Sequence, residues 1–287
     1  MTTATKYFDM TAAPMRIGSA RLKVRELEAV STFYQSVLGL APLNTDDRRI
    51  TLGTGSTPLL ELVGDPALAP HDRRQAGLFH TAFLMPSRAD LARWLAHAVA
   101  AEVPLQGASD HIVSEAIYLA DPEGNGIEVY ADRPLAHWRS PNGKIRISTE
   151  PLDVEDLLKA AGGSVWSGFP QDGIIGHVHL QVGDTGAADR FYRDVLKFDI
   201  AATYPGASFY GSGGYHHQIA GNIWNSRHAG TRPDNMAGLD AVAVILRDTL
   251  DLAEISARAD SAGIAITEHN GGTTLHDPWS TAIILKV

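Results

Sequence analysis

The residues with the clearest chemical potential are two histidines and a glutamate in strand-like parts of the sequence. His80 and His177 each fall within an alternating apolar stretch, and Glu128 ends the segment HIVSEAIYLADPEGNGIE at 111–128. Two neutral imidazoles and one carboxylate are a ligand set for a divalent metal that leaves one face of the ion open. A buried carboxylate with no metal or cation beside it would be costly. Each residue alone could be an ordinary core or surface side chain, so a site exists only if the fold unites them.

The same segment holds a second pair of polar residues. His111 precedes a predicted strand, and Tyr118 lies 7 residues after His111 and 10 before Glu128. An imidazole suits proton transfer near neutral pH. A solvated loop histidine and a strand tyrosine would look the same in isolation.

The composition is that of a globular protein of one large or two ordinary domains, with 287 residues, 44% hydrophobic and 20% charged. With no cysteine, the chain can hold no disulfide, zinc–cysteine cluster, iron–sulfur site or cysteine nucleophile. A net charge of −9 argues against nucleic acid or an anionic membrane as the main partner. The N-terminal stretch lacks the basic start and apolar run of a secretory signal, so we expect a cytoplasmic protein.

An internal duplication determines the architecture. The segments MRIGSARLKVRELEAVSTFYQSVLGL (15–40) and GIIGHVHLQVGDTGAADRFYRDVLKF (173–198) share Ile-Gly, Phe-Tyr and Val-Leu pairs at an offset of 158. Each begins with the alternation of a half-buried strand and continues as a helix whose apolar face carries the Phe-Tyr and Val-Leu pairs.

A second pair of segments follows the same plan, at 78–103 and 239–264, and Ser87 is the predicted cap of the first helix. Each then reaches an Asp-Pro turn and a final strand, at 121–130 and 277–287. The chain therefore contains four β-α-β-β-β units, at 15–65, 78–132, 173–227 and 238–287. We predict an N-terminal half at 1–132, a linker at 133–172 with a short helix at 154–162, and a C-terminal half at 173–287.

Four such units with Phe-Tyr and Asp-Pro-x-Gly-Asn signatures resemble the vicinal oxygen chelate superfamily. The resemblance covers nearly the whole chain outside the linker. It implies an α+β fold in which the units pair into two half-closed mixed β-barrels, with metal ligands on the first and last strands of each unit. Lyases, isomerases, resistance proteins and dioxygenases share this fold, so it fixes no activity.

The segment 111–128 is more specific, because it resembles the signature of extradiol ring-cleavage dioxygenases: His, then Tyr, then Asp-Pro-x-Gly, then Glu. Ser109 departs from that pattern, which prefers glycine, asparagine, threonine or an aliphatic residue there. With GYHHQIAGNIWNS as a further landmark, the whole chain is similar to the catechol 2,3-dioxygenases. The resemblance implies acid/base catalysis by His111 and a hydrogen bond from Tyr118 to a substrate oxygen on iron.

Equivalent strand positions can be compared among the four units by counting back from the last apolar residue of each first strand. The first strands then offer Ser19, His80, His177 and Ala241. The last strands offer Glu61, Glu128, one of the residues around His216-His217, and Ile284.

Only one pairing of units gives two histidines and one carboxylate. Units two and three supply His80, His177 and Glu128, which leaves units one and four as a dry structural half. Sequential pairing would instead give a site of the lyase or isomerase type with Glu61, His80 and Glu128. We favour the cross-pairing.

Further histidines and aromatic residues are candidates for substrate contact. His179 lies two residues after His177 and so faces the same side of its strand. His216 and His217 alternate on a predicted strand, so that one should point into the pocket. Trp224 is the fourth candidate for substrate binding. Arg227, Arg133 and Trp138 could also wall the pocket, or could equally be solvated and packing residues.

The sequence thus predicts an extradiol dioxygenase that cleaves a catechol-type ring with O2 and non-haem Fe(II), with Mn(II) also suited to the ligands. A small aromatic diol and O2 are the expected partners, without nucleic acid or membrane, and the resemblance implies a homo-oligomer. A metal-dependent lyase or isomerase of glyoxalase type and a non-catalytic resistance-type binding protein remain alternatives. The joint spacing of His111 and Tyr118 speaks against both, since neither needs that pair.

Overall fold

The computed structural model describes residues 5–269 and 272–287, so residues 1–4 and two positions of the fourth unit, 270–271, lie outside the described residues. The strands in chain order are β1 (Met15–Val24), β2 (Ala41–Asp46), β3 (Arg49–Thr54), β4 (Thr57–Gly64), β5 (Gly77–Leu84), β6 (Gly107–Asp110), β7 (Ser114–Ala120), β8 (Gly126–Asp132), β9 (Glu150–Pro151), β10 (Ile174–Gln181), β11 (Asp199–Tyr204), β12 (Ala207–Gly211), β13 (Ile219–Asn222), β14 (Gly238–Leu246), β15 (Thr267–His269), β16 (Gly272–His276) and β17 (Ala282–Lys286).

Helices connect and cover these strands. They are α1 (Leu27–Leu38), α2 (Arg88–Ala100), α3 (Leu135–Trp138), α4 (Val154–Lys159), α5 (Thr185–Asp189), which continues as a π-helical turn over Arg190–Val195, and α6 (Thr249–Ser261). None of the helices in the described part of the chain is long and apolar enough to cross a membrane.

The strands form two mixed sheets, each of which takes strands from both halves of the chain. The order is β15-β16-β17-β14-β1-β4-β3-β2 in the first sheet and β11-β12-β13-β10-β5-β8-β7-β6-β9 in the second. The central contacts are antiparallel, β1 with β14 and β5 with β10. Units one and four therefore share a sheet, as do units two and three. The α+β fold and the cross-pairing of units are confirmed, and the sequential pairing is wrong.

Helix α1 shows how the repeated sequence builds its elements. Val30, Tyr34, Val37 and Leu38 are buried on one face at helical spacing, and Gly39 ends the helix in the left-handed conformation at φ 71°. In α2, Ser87 is the N-cap, since its side chain accepts a hydrogen bond from the backbone N–H of Asp90. The predicted cap is confirmed.

The two landmarks of the repeat, the Phe-Tyr helix and the Asp-Pro turn, are in contact with each other. The Tyr34 hydroxyl donates to Asp121 at 3.4 Å, and the Tyr192 hydroxyl donates to Asp277 at 3.0 Å. Each aspartate also accepts hydrogen bonds from backbone N–H groups of its own turn. Tyr34 and Asp121 belong to units in different sheets, as do Tyr192 and Asp277, so these buried pairs tie one sheet to the other.

The predicted linker, 133–172, is part of the second sheet's surroundings. Its strand β9 pairs with β6 and so extends the sheet edge. Its helix α4 begins after Asp153, which caps the N–H of Asp156, and ends at Lys159, not at 162 as predicted. Beyond Lys159 the backbone N–H groups of Ala160 and Ala161 bond three residues back, to Leu157 and Leu158, so the chain continues as turns, and Gly162 and Gly163 then adopt positive φ angles of 62° and 75°.

Candidate functional site

His80, Glu128 and His177 converge at the centre of the second sheet because their strands, β5, β8 and β10, are neighbours. Nε2 of His80 lies 2.9 Å from Oε2 of Glu128 and 3.2 Å from Nε2 of His177. Nε2 of His177 lies 3.4 Å from the same carboxylate oxygen. In the described part of the chain, the ligand atoms of His80, Glu128 and His177 lie close enough to one another to hold a metal ion together.

The spacing and chemistry of these three atoms fit a divalent metal. Two ligand atoms at right angles on an ion, with bonds of about 2.1 Å, are about 3 Å apart. The three observed separations, 2.9, 3.2 and 3.4 Å, match one triangular face of such a coordination sphere. The set of two imidazoles and one carboxylate is the facial arrangement of non-haem iron oxygenases.

The electrostatics of the group also suit metal binding. Burial alone would raise the pKa of Glu128, but the neighbouring imidazoles of His177 and His80 hold this pKa well below its usual value. Burial lowers the pKa of His177 to about 4, against a smaller opposing effect of Glu128. Glu128 is therefore a carboxylate and His177 a neutral ligand at pH 7, which are the forms that bind a cation.

The equivalent place in the first sheet holds an ion pair. Glu61 lies beside Arg21 on the paired strand, as Glu128 lies beside Ala82. Arg21 Nε donates to Glu61 at 2.6 Å, and Arg49 also binds this carboxylate. The prediction of a dry half is wrong here, because the Glu61 and Arg21 side chains are 19% and 31% exposed.

The remaining equivalent positions carry no ligand. Ser19 pairs with Ala243 just as His80 pairs with His179, and Ala241 stands where His177 stands in the second sheet. Ile284 is beside Ala243, and its counterpart in unit three is Ala220, beside His179. The assignment of that last-strand position to the residues around His216-His217 is therefore wrong. Both histidines lie in a bend before β13 and not on a strand.

His111 and Tyr118 form a direct hydrogen-bonded pair at the same cavity. Nδ1 of His111 lies 2.6 Å from the backbone carbonyl oxygen of Ser148, so it carries a proton and donates to that oxygen. With that single proton on the ring, Nε2 of His111 has a lone pair and accepts from the Tyr118 hydroxyl at 2.5 Å. Tyr118 stands opposite Glu128 across β7 and β8. Burial, and then the negative charge of Glu128, raise the pKa of Tyr118 well above 10, so its hydroxyl is a donor at neutral pH.

A cavity of about 260 Å³ joins the three ligand atoms to the His111–Tyr118 pair. Its apolar wall is formed by side chains from both halves of the chain and from the linker: Phe79, Val113, Ile147, Phe209 and Trp224. Among the described residues, neither a lysine nor an arginine lines it. The volume is close to the lower end of the range for small-molecule sites, which suits a single aromatic ring.

Two of the predicted substrate-binding histidines, His179 and His217, line this cavity. Asn222 accepts from the backbone N–H of Trp224, so its amide nitrogen donates to Nε2 of His179, at 3.0 Å. Burial lowers the pKa of both cavity histidines well below 6.5, so they are neutral. Trp224, 46% exposed, lies at the cavity rim beside Phe79.

His216 does not reach the cavity. It is fully buried behind the wall, where its Nε2 binds Asp132 at 2.9 Å and its ring packs against Trp138. A substrate contact by His216 is not supported by this position. Trp138 is a packing residue as well, Arg133 pairs with Asp110 and Glu115, and Arg227 is exposed.

Several cavity residues escaped the sequence analysis. Phe79 lies next to His80 on β5, and an apolar residue in a strand gave no sign that it lines the cavity. Asn222 contacts the cavity residue His179, and its segment was noted only as a landmark of the resemblance. Ile147 and Thr149 of the linker also line the cavity, next to Ser148. The linker has no counterpart in the repeat, so its sequence carried no signal for this contribution.

Comparisons with known proteins agree with this architecture. The family model described as Glyoxalase/Bleomycin resistance protein/Dioxygenase superfamily matches residues 16–129 and 174–277. A relative named catechol-2,3-dioxygenase, from Bacillus subtilis (strain 168), is 42% identical over 276 residues, which cover 94% of this chain and 96% of the relative.

Two solved structures share the fold at low identity. Glyoxalase I from Zea mays has a TM-score of 0.58 and 15% identity, over 96% of this chain and 93% of that chain. The CppA protein from Streptococcus pneumoniae TIGR4 has a TM-score of 0.55 and 13% identity, over 94% of this chain and 98% of that chain. At such identities, the likeness concerns the fold and carries no conclusion about activity.

Proposed function

This chain belongs to the glyoxalase/bleomycin resistance protein/dioxygenase superfamily, and from that premise we propose that it is an extradiol dioxygenase that uses O2 to cleave a catechol-type ring beside its two hydroxyls. One observation carries the proposal. His80, Glu128 and His177 face a cavity that is also lined by the hydrogen-bonded pair of His111 and Tyr118. The relative from Bacillus subtilis, which carries the name of this activity, supports it.

We propose Fe(II) as the metal held by His80, Glu128 and His177, with Mn(II) as the second ion suited to these ligands. When bound there, the metal supplies a site for both oxygens of the diol and for O2, together with the redox chemistry of the ring cleavage. The three ligand side chains lie on one side of the proposed metal position, so the side that faces the cavity is free for substrate.

The protein's own side chains bind and orient the diol. The apolar wall accepts the ring, with Phe209 and Ile147 among its members, and it keeps water from the reacting centre. Once Nε2 of His111 has taken a proton, the single proton of the Tyr118 hydroxyl can be donated to a substrate oxygen beside the ligands. Such a donor stabilises the anionic form of that oxygen.

His111 is the proposed acid/base residue. The Ser148 carbonyl holds the proton on its Nδ1, which leaves Nε2 free to take a proton and later return it. In the structure Nε2 accepts from Tyr118, so a proton can move between substrate, tyrosine and histidine along one line of hydrogen bonds.

The glyoxalase-type site considered from the sequence is contradicted by the geometry. It required Glu61 beside His80 and Glu128, yet Glu61 lies in the other sheet, bound by Arg21 and Arg49. The homo-oligomeric state and the cytoplasmic location expected from the sequence remain predictions.

The direct test is oxygen consumption. Protein loaded anaerobically with Fe(II), and separately with Mn(II), is mixed with catechol in an oxygen electrode while the ring-opened product is followed by absorbance and mass spectrometry. We expect one O2 consumed for each catechol, with both oxygen atoms in the product. Stoichiometric metal without oxygen uptake on catechols would reject the proposed function.

A further inference from the structure

A line of buried hydrogen bonds runs from Asp132 to the cavity through two adjacent histidines. Oδ1 of Asp132 lies 2.9 Å from Nε2 of His216, and Nδ1 of His216 lies 2.8 Å from Nδ1 of His217. His217 lines the cavity, and its ring packs against that of His177 with centroids 4.1 Å apart. Neither the repeat nor the dioxygenase signature accounts for Asp132 or His216.

The direction of the hydrogen bonds follows from the carboxylate at the start of the line. An ionised carboxylate only accepts, so Nε2 of His216 carries a proton and donates it to Asp132. With a single proton on the ring, at Nε2, Nδ1 of His216 has a lone pair and accepts from Nδ1–H of His217. Tyr215 also donates to Asp132, at 3.2 Å, which supports the assignment of Asp132 as an acceptor.

The other nitrogen of His217 faces the cavity. In the described part of the chain, Nε2 of His217 has no hydrogen-bond partner in the protein. This atom is not sealed inside the protein, so a molecule in the cavity can reach it. With its single ring proton on Nδ1, His217 has a lone pair on Nε2.

We propose that Asp132 and His216 are positioning residues that fix the tautomer of His217, so that its Nε2 is a hydrogen-bond acceptor in the cavity. The chemical partner of such an atom is an O–H group, such as one hydroxyl of a bound diol. This last step rests on the proposed function; the tautomer itself does not.

The surroundings hold His216 in this role. Its ring is fully buried, and it lies between Tyr215, with centroids 4.0 Å apart, and Trp138, at 4.9 Å. The ring therefore cannot turn to exchange its two nitrogens without displacing both aromatic side chains. The hydrogen bond to Asp132 thus fixes which nitrogen of His216 carries the proton, and this in turn fixes which nitrogen of His217 carries one.

The test reads the tautomer directly. Metal-free protein labelled with ¹⁵N in its histidines gives two-bond ¹H–¹⁵N correlations whose pattern shows which ring nitrogen carries the proton, and single histidine-to-glutamine variants assign the signals. We expect the Nδ1–H form for His217 in the unaltered protein. The Nε2–H form there would overturn the proposal, whatever the variants do.

Three variants test the role of Asp132. Asp132→Leu removes the acceptor, and we expect His217 to become a mixture of both tautomers. Asp132→Asn keeps one oxygen that can accept from His216 and Tyr215, so it should retain the Nδ1–H form. The matched control Tyr215→Phe removes the other hydrogen bond to Asp132 and should also retain it. An unchanged His217 signal in a folded Asp132→Leu protein would reject the proposal.

Kinetics separate this inference from the proposed function. With metal bound and catechol as substrate, Asp132→Leu should lower kcat by about 10- to 100-fold, as loss of an outer hydrogen-bond partner does at metal sites, while Asp132→Asn restores most of it. If the tautomer is as proposed but no protein consumes O2, the proposed function fails and the inference stands. A normal kcat in a variant with the wrong tautomer would overturn the acceptor role.

Discussion

Glu61 and Glu128 occupy equivalent positions in the two sheets, yet their carboxylates have opposite surroundings. Each lies on the last strand of its unit, in parallel register with the first strand. Arginine neutralises Glu61, whereas Glu128 faces two imidazoles. The same substitution can therefore be made at Glu61 and at Glu128, and one variant is the control for the other.

We expect Glu128→Gln to lose its metal and Glu61→Gln to keep it. The first change removes the negative ligand of the group, and the second only breaks an ion pair that is partly exposed and so contributes little. Metal content after gel filtration, measured by plasma emission spectroscopy, checks this. Equal metal content in both variants would contradict the assigned site.

Metal should also stabilise the folded protein. An ion that binds only the folded state at 100 times its Kd raises the free energy of unfolding by about 2.7 kcal/mol. Urea unfolding with and without Fe(II) or Mn(II) under anaerobic conditions measures the effect. The increase should appear in the unaltered protein and vanish in Glu128→Gln, while a similar increase in that variant would place the metal elsewhere.

Substitution of His111 or Tyr118 should impair catalysis without metal loss. His111→Asn removes the proposed acid/base group, and its loss should lower kcat by about 10²- to 10⁴-fold. Tyr118→Phe removes one donor and should cost less. Because the two side chains share a hydrogen bond, the double variant should be less impaired than the product of the single effects. Full additivity would mean that the two residues act independently.

The cavity should favour uncharged catechols over catechols that carry a negative charge on the ring. In the described part of the chain, neither lysine nor arginine lines it, so a catechol with a carboxylate on the ring would lose hydration without gaining a partner. We expect higher kcat/KM for catechol and methyl-substituted catechols than for a carboxylated catechol. Ile147→Arg should narrow the difference, whereas Ile147→Leu should not. Preference of the unaltered protein for the carboxylated substrate would contradict this view.

Ionisation of the buried Asp121 carboxyl should lower the free energy of unfolding as the pH rises. Burial raises its pKa from 3.8 to about 6 in the folded state, so the folded state binds the proton more tightly than the unfolded one. The stabilisation is complete below about pH 4 and is lost as the pH rises through 6, by up to about 3 kcal/mol. Asp121→Asn mimics the neutral form, so its cost in unfolding free energy should be greater at pH 4.5 than at pH 7.5. A cost independent of pH would contradict the raised pKa.

The repeat explains why so much of the fold could be predicted. Positions counted within four copies of one unit placed His80, His177 and Glu128 together, because ligands on equivalent strand positions meet wherever the units pair correctly. The cross-pairing followed from the residues at those positions, since Ser19, Ala241 and Ile284 offer no ligand.

The remaining features depend on contacts that no repeat encodes. The bend that places His216 behind the wall lies outside the strands, so counting along a strand gave the wrong position for it. The linker's Ser148 reaches His111 through its backbone carbonyl, which any residue type could supply. Such contacts arise from the path of the chain in space and leave no trace in residue type or spacing.

The cross-pairing of β1 with β14 also has a consequence for synthesis on the ribosome. The first strand to emerge has its central antiparallel partner more than 200 residues later, at Gly238–Leu246, so the nascent N-terminal half leaves an open edge for most of translation. His177, too, emerges long after His80 and Glu128. A metal ion can therefore be captured by the full ligand set only when translation has passed the midpoint of the chain, and a prematurely truncated product would be both metal-free and prone to aggregate.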